Sequence, residues 1–125
     1  METLSIVVPC YNEEQSLPLY WAACSQQAAQ LDVNVEWWFV DDGSTDGTLQ
    51  LLREMNQRDE RAHYVALSRN FGKEGAMFAG LEAARGEYVV FMDADLQDPP
   101  ELLESMLRGI RLEGYDLSLI HISEP

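Results

Sequence analysis

Two aspartates separated by one residue, Asp93 and Asp95, are the residues of the sequence whose types and spacing most clearly indicate a chemical role. They follow an apolar run at residues 88–92, which predicts a buried strand. Side chains two positions apart in a strand point to the same side, so these carboxylates would repel each other unless a cation lay between them. Such oxygen ligands suit Mg²⁺ or Mn²⁺, and Gln97 could add a carbonyl oxygen. The alternative is a capping pair before the next helix.

A second acidic segment, residues 41–44 (DDGS), follows another predicted strand. A carboxylate at this position can accept hydrogen bonds from a ribose hydroxyl or a base N–H, as acidic residues do at nucleotide sites. Asp-Gly is also a common turn pair, so a plain turn is the alternative.

The first predicted strand ends at residues 9–13 (PCYNE). Tyr11 could stack on a base, and Glu13 could cap a helix or touch the nucleotide. A strand exit followed by a helix start would explain the same residues.

Two cations, Arg69 and Lys73, lie in the loop at residues 68–73 (SRNFGK) and could offset the charge of a diphosphate. The loop lacks the first glycine and the final Ser or Thr of a Walker A motif, and no Gly-x-Gly-x-x-Gly follows a strand. With two histidines in the chain, His63 in a strand and His121 near the end, neither a Ser-His-Asp site nor a zinc site is favoured.

These segments all follow strands in a pattern of alternating strands and helices. Apolar runs predict strands at residues 4–8, 35–40, 62–67 and 88–92. Helices are predicted at 14–31, from a cap at Thr45 or Asp46 to about 58, at 76–85 with Gly86 as a left-handed cap, and from 99 to about 112. The alternation predicts an α/β fold with a mostly parallel sheet and helices on both faces. The carboxyl ends of such strands meet at one edge, so the four motifs should converge there.

The composition, 46% hydrophobic and 24% charged over 125 residues, is that of a single folded domain. A net charge of −14 disfavours nucleic acid as a partner; it favours divalent cations or serves solubility alone. Cys10 and Cys24 are expected to be reduced core thiols. No apolar run reaches a membrane span of about 18 residues, and no signal peptide is predicted. A fifth strand is expected to open near residue 115.

The last nine residues, 117–125 (LSLIHISEP), resemble a translated transposon-end adapter of the kind used in sequencing libraries. We therefore expect residues 1–116 to be the native part, belonging to a longer protein, and 117–125 to be a non-native tail. A native strand with a polar end is the alternative.

Taken together, residues 7–14 (VVPCYNEE), 40–48 (VDDGSTDGT) and 92–101 (MDADLQDPPE) resemble family 2 glycosyltransferases of the GT-A fold. Residues 68–77 (SRNFGKEGAM) make the chain similar to the polyprenyl-phosphate branch, which includes dolichol-phosphate mannose synthase and bactoprenol glucosyltransferase. The resemblance covers residues 4–116.

This resemblance implies roles for individual residues. Those contacting a UDP- or GDP-sugar would be Pro9, Tyr11, Glu13, Val40, Asp42, Asp93, Ala94 and Asp95. The ligands of Mg²⁺ or Mn²⁺ would be Asp93, Asp95 and Gln97, with Asp93 and Asp95 as the catalytic pair.

The resemblance also implies a reaction: inverting transfer of a hexose to polyprenyl phosphate, on the cytoplasmic side of a membrane reached through a C-terminal part. A phosphate acceptor is largely dianionic at neutral pH and needs no protein base, although Asp98 could be argued for that role. We expect the present chain to be soluble and inactive by itself. The alternatives are a family 2 enzyme with a polysaccharide or other acceptor, and a non-catalytic nucleotide-binding domain.

Overall fold

The computed structural model describes residues 2–95 and 101–113. In this part of the chain, strands and helices alternate. The strands are β1 (Thr3–Cys10), β2 (Asn34–Asp41), β3 (Ala62–Ala66) and β4 (Tyr88–Phe91). The helices are α1 (Leu17–Ala28), α2 (Thr48–Arg58), α3 (Lys73–Ala83) and α4 (Leu102–Glu113). The predicted α/β class is confirmed.

The strands form one parallel sheet in the order β3-β2-β1-β4. The chain builds outward from β1 to β3 and then returns to the other side of β1 to form β4. The strand order therefore reverses between β1 and β4, and ligands of open α/β sheets bind in the crevice at such a reversal.

Both faces of the central strand β1 are buried, as its near-continuous apolar run predicts. Alternate residues Leu4, Ile6 and Val8 belong to the larger core, which includes side chains of α1, α2 and α4. Val7 points to the opposite face and belongs to a smaller core against which Met77 of α3 packs. This double burial fixes the register of β1, so its carboxyl end has a defined position.

Several predicted helix ends require correction. Helix α1 begins at Leu17 and not near residue 14, because Pro18 must lie in the first turn. The cap position of helix α2 is occupied by Gly47 and not by Thr45 or Asp46. Asp46 lies one residue before this cap, and its Oδ1 accepts a hydrogen bond from the Thr48 N–H. Helix α3 begins at residue 73 and not at residue 76.

Gly86 does not form the left-handed cap that was predicted after α3. The helix ends in extended backbone at Ala84, and the glycines with positive φ among the described residues are Gly43 and Gly72. What Gly86 provides is space, because a Cβ there would lie 2.5 Å from the Thr3 carbonyl oxygen.

Some predictions fall outside the described residues: the Pro99–Pro100 helix start, the strand near residue 115 and the tail at 117–125. Both cysteines are buried free thiols, as expected. No helix in the described ranges combines the length and apolar character of a membrane span.

Candidate functional site

A cleft of about 270 Å³ lies at the carboxyl edge of the sheet, where the strand order reverses. The loops after all four strands contribute to it, so the predicted convergence of the motifs is confirmed. The lining residues are Pro9, Cys10, Tyr11, Glu13, Asp42, Asn70, Gly72, Lys73 and Asp93. A larger hollow of about 360 Å³ lies at the opposite edge, between the turn that follows α1 and helix α4, and none of the motif residues lines it.

Hydrogen bonds join the loop after β1 to the loop after β2, and we call residues 12–14 and 44–48 the loop clasp. The Asn12 N–H donates to Ser44 Oγ at 2.9 Å, and Asn12 Oδ1 accepts from the Thr45 N–H at 2.8 Å. The Glu13 N–H donates to Thr48 Oγ1 at 2.9 Å. Asn12 has a φ of 53°, a left-handed conformation that asparagine tolerates better than most residues.

Asp46 completes the clasp with both of its carboxylate oxygens. Oδ2 accepts from the Glu14 N–H at 3.2 Å, and Oδ1 accepts from the Thr48 N–H at 2.9 Å. Tyr11 comes directly before the clasp and keeps 45% of its surface exposed while it lines the cleft. The clasp therefore holds an accessible aromatic ring beside the cleft, as stacking on a base would require.

Asp42 has a structural role that could not be read from the sequence. It is only 4% exposed, and its carboxylate accepts the Phe71 N–H at 2.7 Å and the Gly72 N–H at 3.0 Å. A carboxylate oxygen can accept more than one hydrogen bond, so the side chain retains capacity for a ligand. Asp42 thus lines the cleft and also positions the loop after β3.

The loop after β3 lies close against the loop after β2 at Gly43. Gly43 has a φ of +73°, and a Cβ there would lie 2.5 Å from the Arg69 carbonyl carbon. Arg69 itself is exposed, and its guanidinium lies 4.8 Å from the centroid of the Phe71 ring. It does not line the cleft, so of the two predicted cations only Lys73 does.

Asn70 was missed by the sequence analysis, although it lines the cleft. Its Oδ1 accepts the Gly72 N–H at 3.0 Å, so the side chain helps to shape the turn before α3. An asparagine two residues before a glycine, in a loop after a strand, is the signal that could have indicated it.

The acidic end of the cleft is built by Asp93, with Asp95 and Glu13 nearby. Asp93 Oδ1 lies 3.0 Å from Lys73 Nζ, and the Asp93 side chain is 17% exposed. Burial raises the pKa of Glu13, the hydrogen bond from Ser16 opposes that shift, and the charges of Asp95 and Asp93 raise it further. The carboxylates of Asp93 and Asp95 are therefore near enough to act on Glu13, and Lys73 brings a positive charge to Asp93.

Asp95 is exposed and does not line the cleft. Val40 and Ala94, two other predicted contacts, are buried and do not line it either. Pro9 does line it, and its contact with a nucleotide sugar stays a prediction. The predicted ligand Gln97 lies outside the described residues.

The donor set fits a divalent ion in part. Within residues 2–95 and 101–113, no three His, Cys, Asp or Glu side chains are close enough to hold a metal ion. However, Mg²⁺ commonly binds through one or two carboxylates, with water and substrate phosphates completing its shell. Asp93 already holds a cationic ammonium group, so this position favours positive charge.

Residues 5–123 match the family model described as "Glycosyl transferase family 2". The chain belongs to this glycosyltransferase family. Its fold is the GT-A glycosyltransferase fold, as similar solved structures indicate.

Three similar proteins illustrate the relationship. The undecaprenyl-phosphate 4-deoxy-4-formamido-L-arabinose transferase of Aeromonas hydrophila is 38% identical over 118 residues, covering 94% of this chain and 36% of that protein. The mannosyltransferase PcManGT of Pyrobaculum calidifontis, in complex with GDP-Man and Mn²⁺, has a TM-score of 0.71 at 25% identity and covers 86% of this chain and 32% of its own. TarS of S. aureus, in complex with UDP, has a TM-score of 0.67 at 28% identity, and the match covers 90% of this chain and 33% of the TarS chain.

The glycosyltransferase chain described here thus spans about a third of the length of the curated relatives that it matches. One of its structural neighbours holds Mn²⁺ together with a nucleotide sugar, and another holds a nucleoside diphosphate.

Proposed function

We propose that this chain forms the donor-binding part of a glycosyltransferase that moves a hexose from a UDP- or GDP-sugar to a polyprenyl phosphate, with inversion. One observation supports the proposal above all. The four strand ends form one cleft that has an aromatic ring and a buried carboxylate on one side and an ion-paired carboxylate on the other.

The two sides of the cleft suit the two ends of a nucleotide sugar. Tyr11 would stack on the base, and Asp42 would accept a hydrogen bond from the base or the ribose. Pro9 also lines the cleft, and Glu13 lines it near the acidic end. Asp93 would lie at the diphosphate end, so the donor would extend from the loop clasp toward β4.

The residues that would hold a divalent ion are Asp93 and Asp95. The ion would supply a Lewis acid for the negative charge that develops on the departing nucleoside diphosphate. Lys73 offers a further positive charge at the same end of the cleft. The sugar centre would be attacked from the opposite face, which inverts its configuration.

The lipid acceptor is supported by the name of the Aeromonas hydrophila relative, which acts on undecaprenyl phosphate. The second pKa of a phosphate monoester is near 6, so the acceptor is already largely dianionic at pH 7. No protein base is required for such an attack. The lipid acceptor would also bring the whole protein to a membrane.

Calorimetric titration of the 125-residue chain tests donor binding. We expect UDP or GDP to bind in the presence of Mn²⁺ and to lose most of that binding when EDTA removes the ion. Failure of both nucleotides to bind with Mn²⁺ would leave a structural domain as the better interpretation.

Transfer of labelled sugar tests the acceptor. The complete gene product should label undecaprenyl phosphate, whereas labelling of a polysaccharide alone would favour the other family 2 activity. We expect no transfer by the 125-residue chain, because it spans about a third of the length of its curated relatives.

A further inference from the structure

The ion pair between Lys73 and Asp93 lies at the acidic end of the cleft. Lys73 Nζ lies 3.0 Å from Asp93 Oδ1, and the two side chains are 45% and 17% exposed. Lys73 is the first residue of α3, and Asp93 follows the end of β4, so the pair joins the two sides of the cleft. An ammonium group therefore contacts the carboxylate proposed to bind the metal ion.

Other carboxylates lie close to this pair. The carboxylates of Asp93 and Asp95 are near enough to raise the pKa of Glu13, whose burial is the larger cause of that shift. A divalent ion carries twice the charge of the Lys73 ammonium group and would be favoured at the same carboxylate, but an ammonium group and a divalent ion on one carboxylate repel each other.

The pair is also weak enough to exchange. Partly exposed ion pairs contribute about 0–1 kcal/mol, because water solvates both partners and the side chains lose freedom. Lysine has a compact charge on a flexible four-carbon stem, so Nζ can move several ångströms without any backbone change. Lys73 can therefore leave Asp93 at little cost when a stronger anion is near.

We infer that Lys73 occupies the place of the divalent ion at Asp93 in the ligand-free chain and transfers to the donor diphosphate when the ion and nucleotide bind together. The inference rests on the proposed function of this cleft. Lys73 is then a positioning residue: it neutralises Asp93 before binding and the diphosphate afterwards.

This exchange predicts linkage between the ion and the nucleotide. Binding of Mn²⁺ alone must break the Lys73–Asp93 pair, so its affinity is reduced. A nucleoside diphosphate offers Lys73 a new partner and removes that cost, and by linkage the ion strengthens nucleotide binding by the same factor.

The test compares the 125-residue chain with Lys73→Met, which keeps the stem length and removes the charge. Lys73→Arg keeps the charge, and Arg53→Met removes a charge from exposed α2 as a matched control. Titrations would measure binding of Mn²⁺ alone, of UDP and GDP alone, and of each nucleotide at saturating Mn²⁺. Circular dichroism would check that each variant is folded.

We expect Lys73→Met to bind Mn²⁺ alone about threefold to fivefold more tightly, the effect of removing one exposed ion pair. It should bind nucleotide at saturating Mn²⁺ about tenfold more weakly, since a charged hydrogen bond to phosphate is lost. Lys73→Arg should stay near wild type in both titrations, and so should Arg53→Met.

An unchanged or weaker Mn²⁺ affinity in Lys73→Met would overturn the inference, even if the wild-type chain binds nucleotide with Mn²⁺ as proposed. A wild-type chain that binds neither Mn²⁺ nor nucleotide would overturn the proposed function and the inference together. The first result concerns Lys73 alone, so the two failures are distinguishable.

Discussion

Carboxylates at the two edges of the sheet have opposite surroundings. Near the amino edge, Glu36 Oε2 accepts hydrogen bonds from Ser5 Oγ at 2.6 Å, from Trp38 Nε1 at 2.9 Å and from the Arg85 N–H at 2.8 Å. Near the carboxyl edge, Asp93 is paired with one lysine beside two other carboxylates.

The pKa values of two glutamates record this difference. Burial acts to raise the pKa of Glu36, but the three hydrogen bonds outweigh burial and the pKa is lowered. Burial raises the pKa of Glu13, and neighbouring carboxylates add to that effect. A carboxylate surrounded by donors stabilises the fold, whereas a carboxylate in a cleft whose pKa is raised by burial and by neighbouring carboxylates is a candidate for a functional site.

The largest expected effect is on metal-dependent nucleotide binding in Asp93→Asn. We expect the affinity for UDP or GDP with Mn²⁺ to fall about 100-fold or more, because loss of even an indirect metal contact can cost about 10–100-fold. Stability should change little, since the partly exposed Lys73 pair contributes about 0–1 kcal/mol. Calorimetry and urea unfolding measure the two quantities. Asp59→Asn is the matched control, and nucleotide binding by Asp93→Asn at wild-type strength would contradict this assignment.

The opposite pattern is expected for Glu36→Ala. Three donors lose their acceptor, so we expect the free energy of unfolding to fall by about 2–3 kcal/mol. Nucleotide binding by the folded protein should stay unchanged, because Glu36 lies far from the cleft residues in the sheet. Urea unfolding is the measurement, with exposed Glu82→Ala as the control. Equal stability of Glu36→Ala and the control would show that this network is dispensable.

A smaller effect is expected for Tyr11→Ala. Stacking of a base on an aromatic ring contributes about 1–3 kcal/mol, and an exposed ring should lie at the lower end, which is about fivefold in affinity. Tyr11→Phe keeps the ring and should bind nucleotide nearly as well as wild type. Calorimetry with UDP and GDP makes the comparison, and equal losses in both variants would argue against stacking.

The smallest expected effect is on the pH dependence of stability, which should have opposite signs for Glu36 and Glu13. The lowered pKa of Glu36 means that its stabilisation is present above the unfolded pKa, near 4.5, and is lost as pH falls through the folded pKa. The raised pKa of Glu13 has the opposite sign: stability is lost as pH rises from near 4.5 through the folded pKa.

Glu13→Gln should therefore gain stability at pH 7 relative to pH 4, by less than about 1 kcal/mol for a partly solvated group. Glu36→Gln should lose more stability at pH 7 than at pH 3. Thermal unfolding at several pH values would measure both variants. If the stability of both variants changed with pH in the same direction, the proposed difference between the two edges of the sheet would be wrong.

The sheet was predictable from the sequence because burial on both faces leaves a continuous apolar run, as in β1. The convergence of the motifs was predictable because parallel strands end at one edge. The start of α3 was not. Gly72 and Gly75 resemble loop residues, and the Asp42 carboxylate that binds the Gly72 N–H comes from 30 residues earlier in the chain.

The local sequence pattern also could not predict which side chains of the site contact each other. Arg69 and Lys73 are equally cationic in sequence, but one lies over Phe71 and the other reaches Asp93. Gly86 shows the same limit, because its role depends on a carbonyl group of β1 and not on its own neighbours. Local sequence specifies which groups are present, and tertiary contacts decide which of them meet.

The loop clasp has a consequence for the thermodynamics of recognition. Its side-chain-to-backbone bonds already restrict the loops that flank Tyr11, so little conformational entropy remains to be lost there when a ligand arrives. The opposite end contains the partly exposed Lys73–Asp93 ion pair, which would reorganise in the proposed exchange. In the proposed binding mode the cleft would be rigid toward the nucleoside and adaptable toward phosphate, so donors that differ in the sugar could share one preorganised anchor.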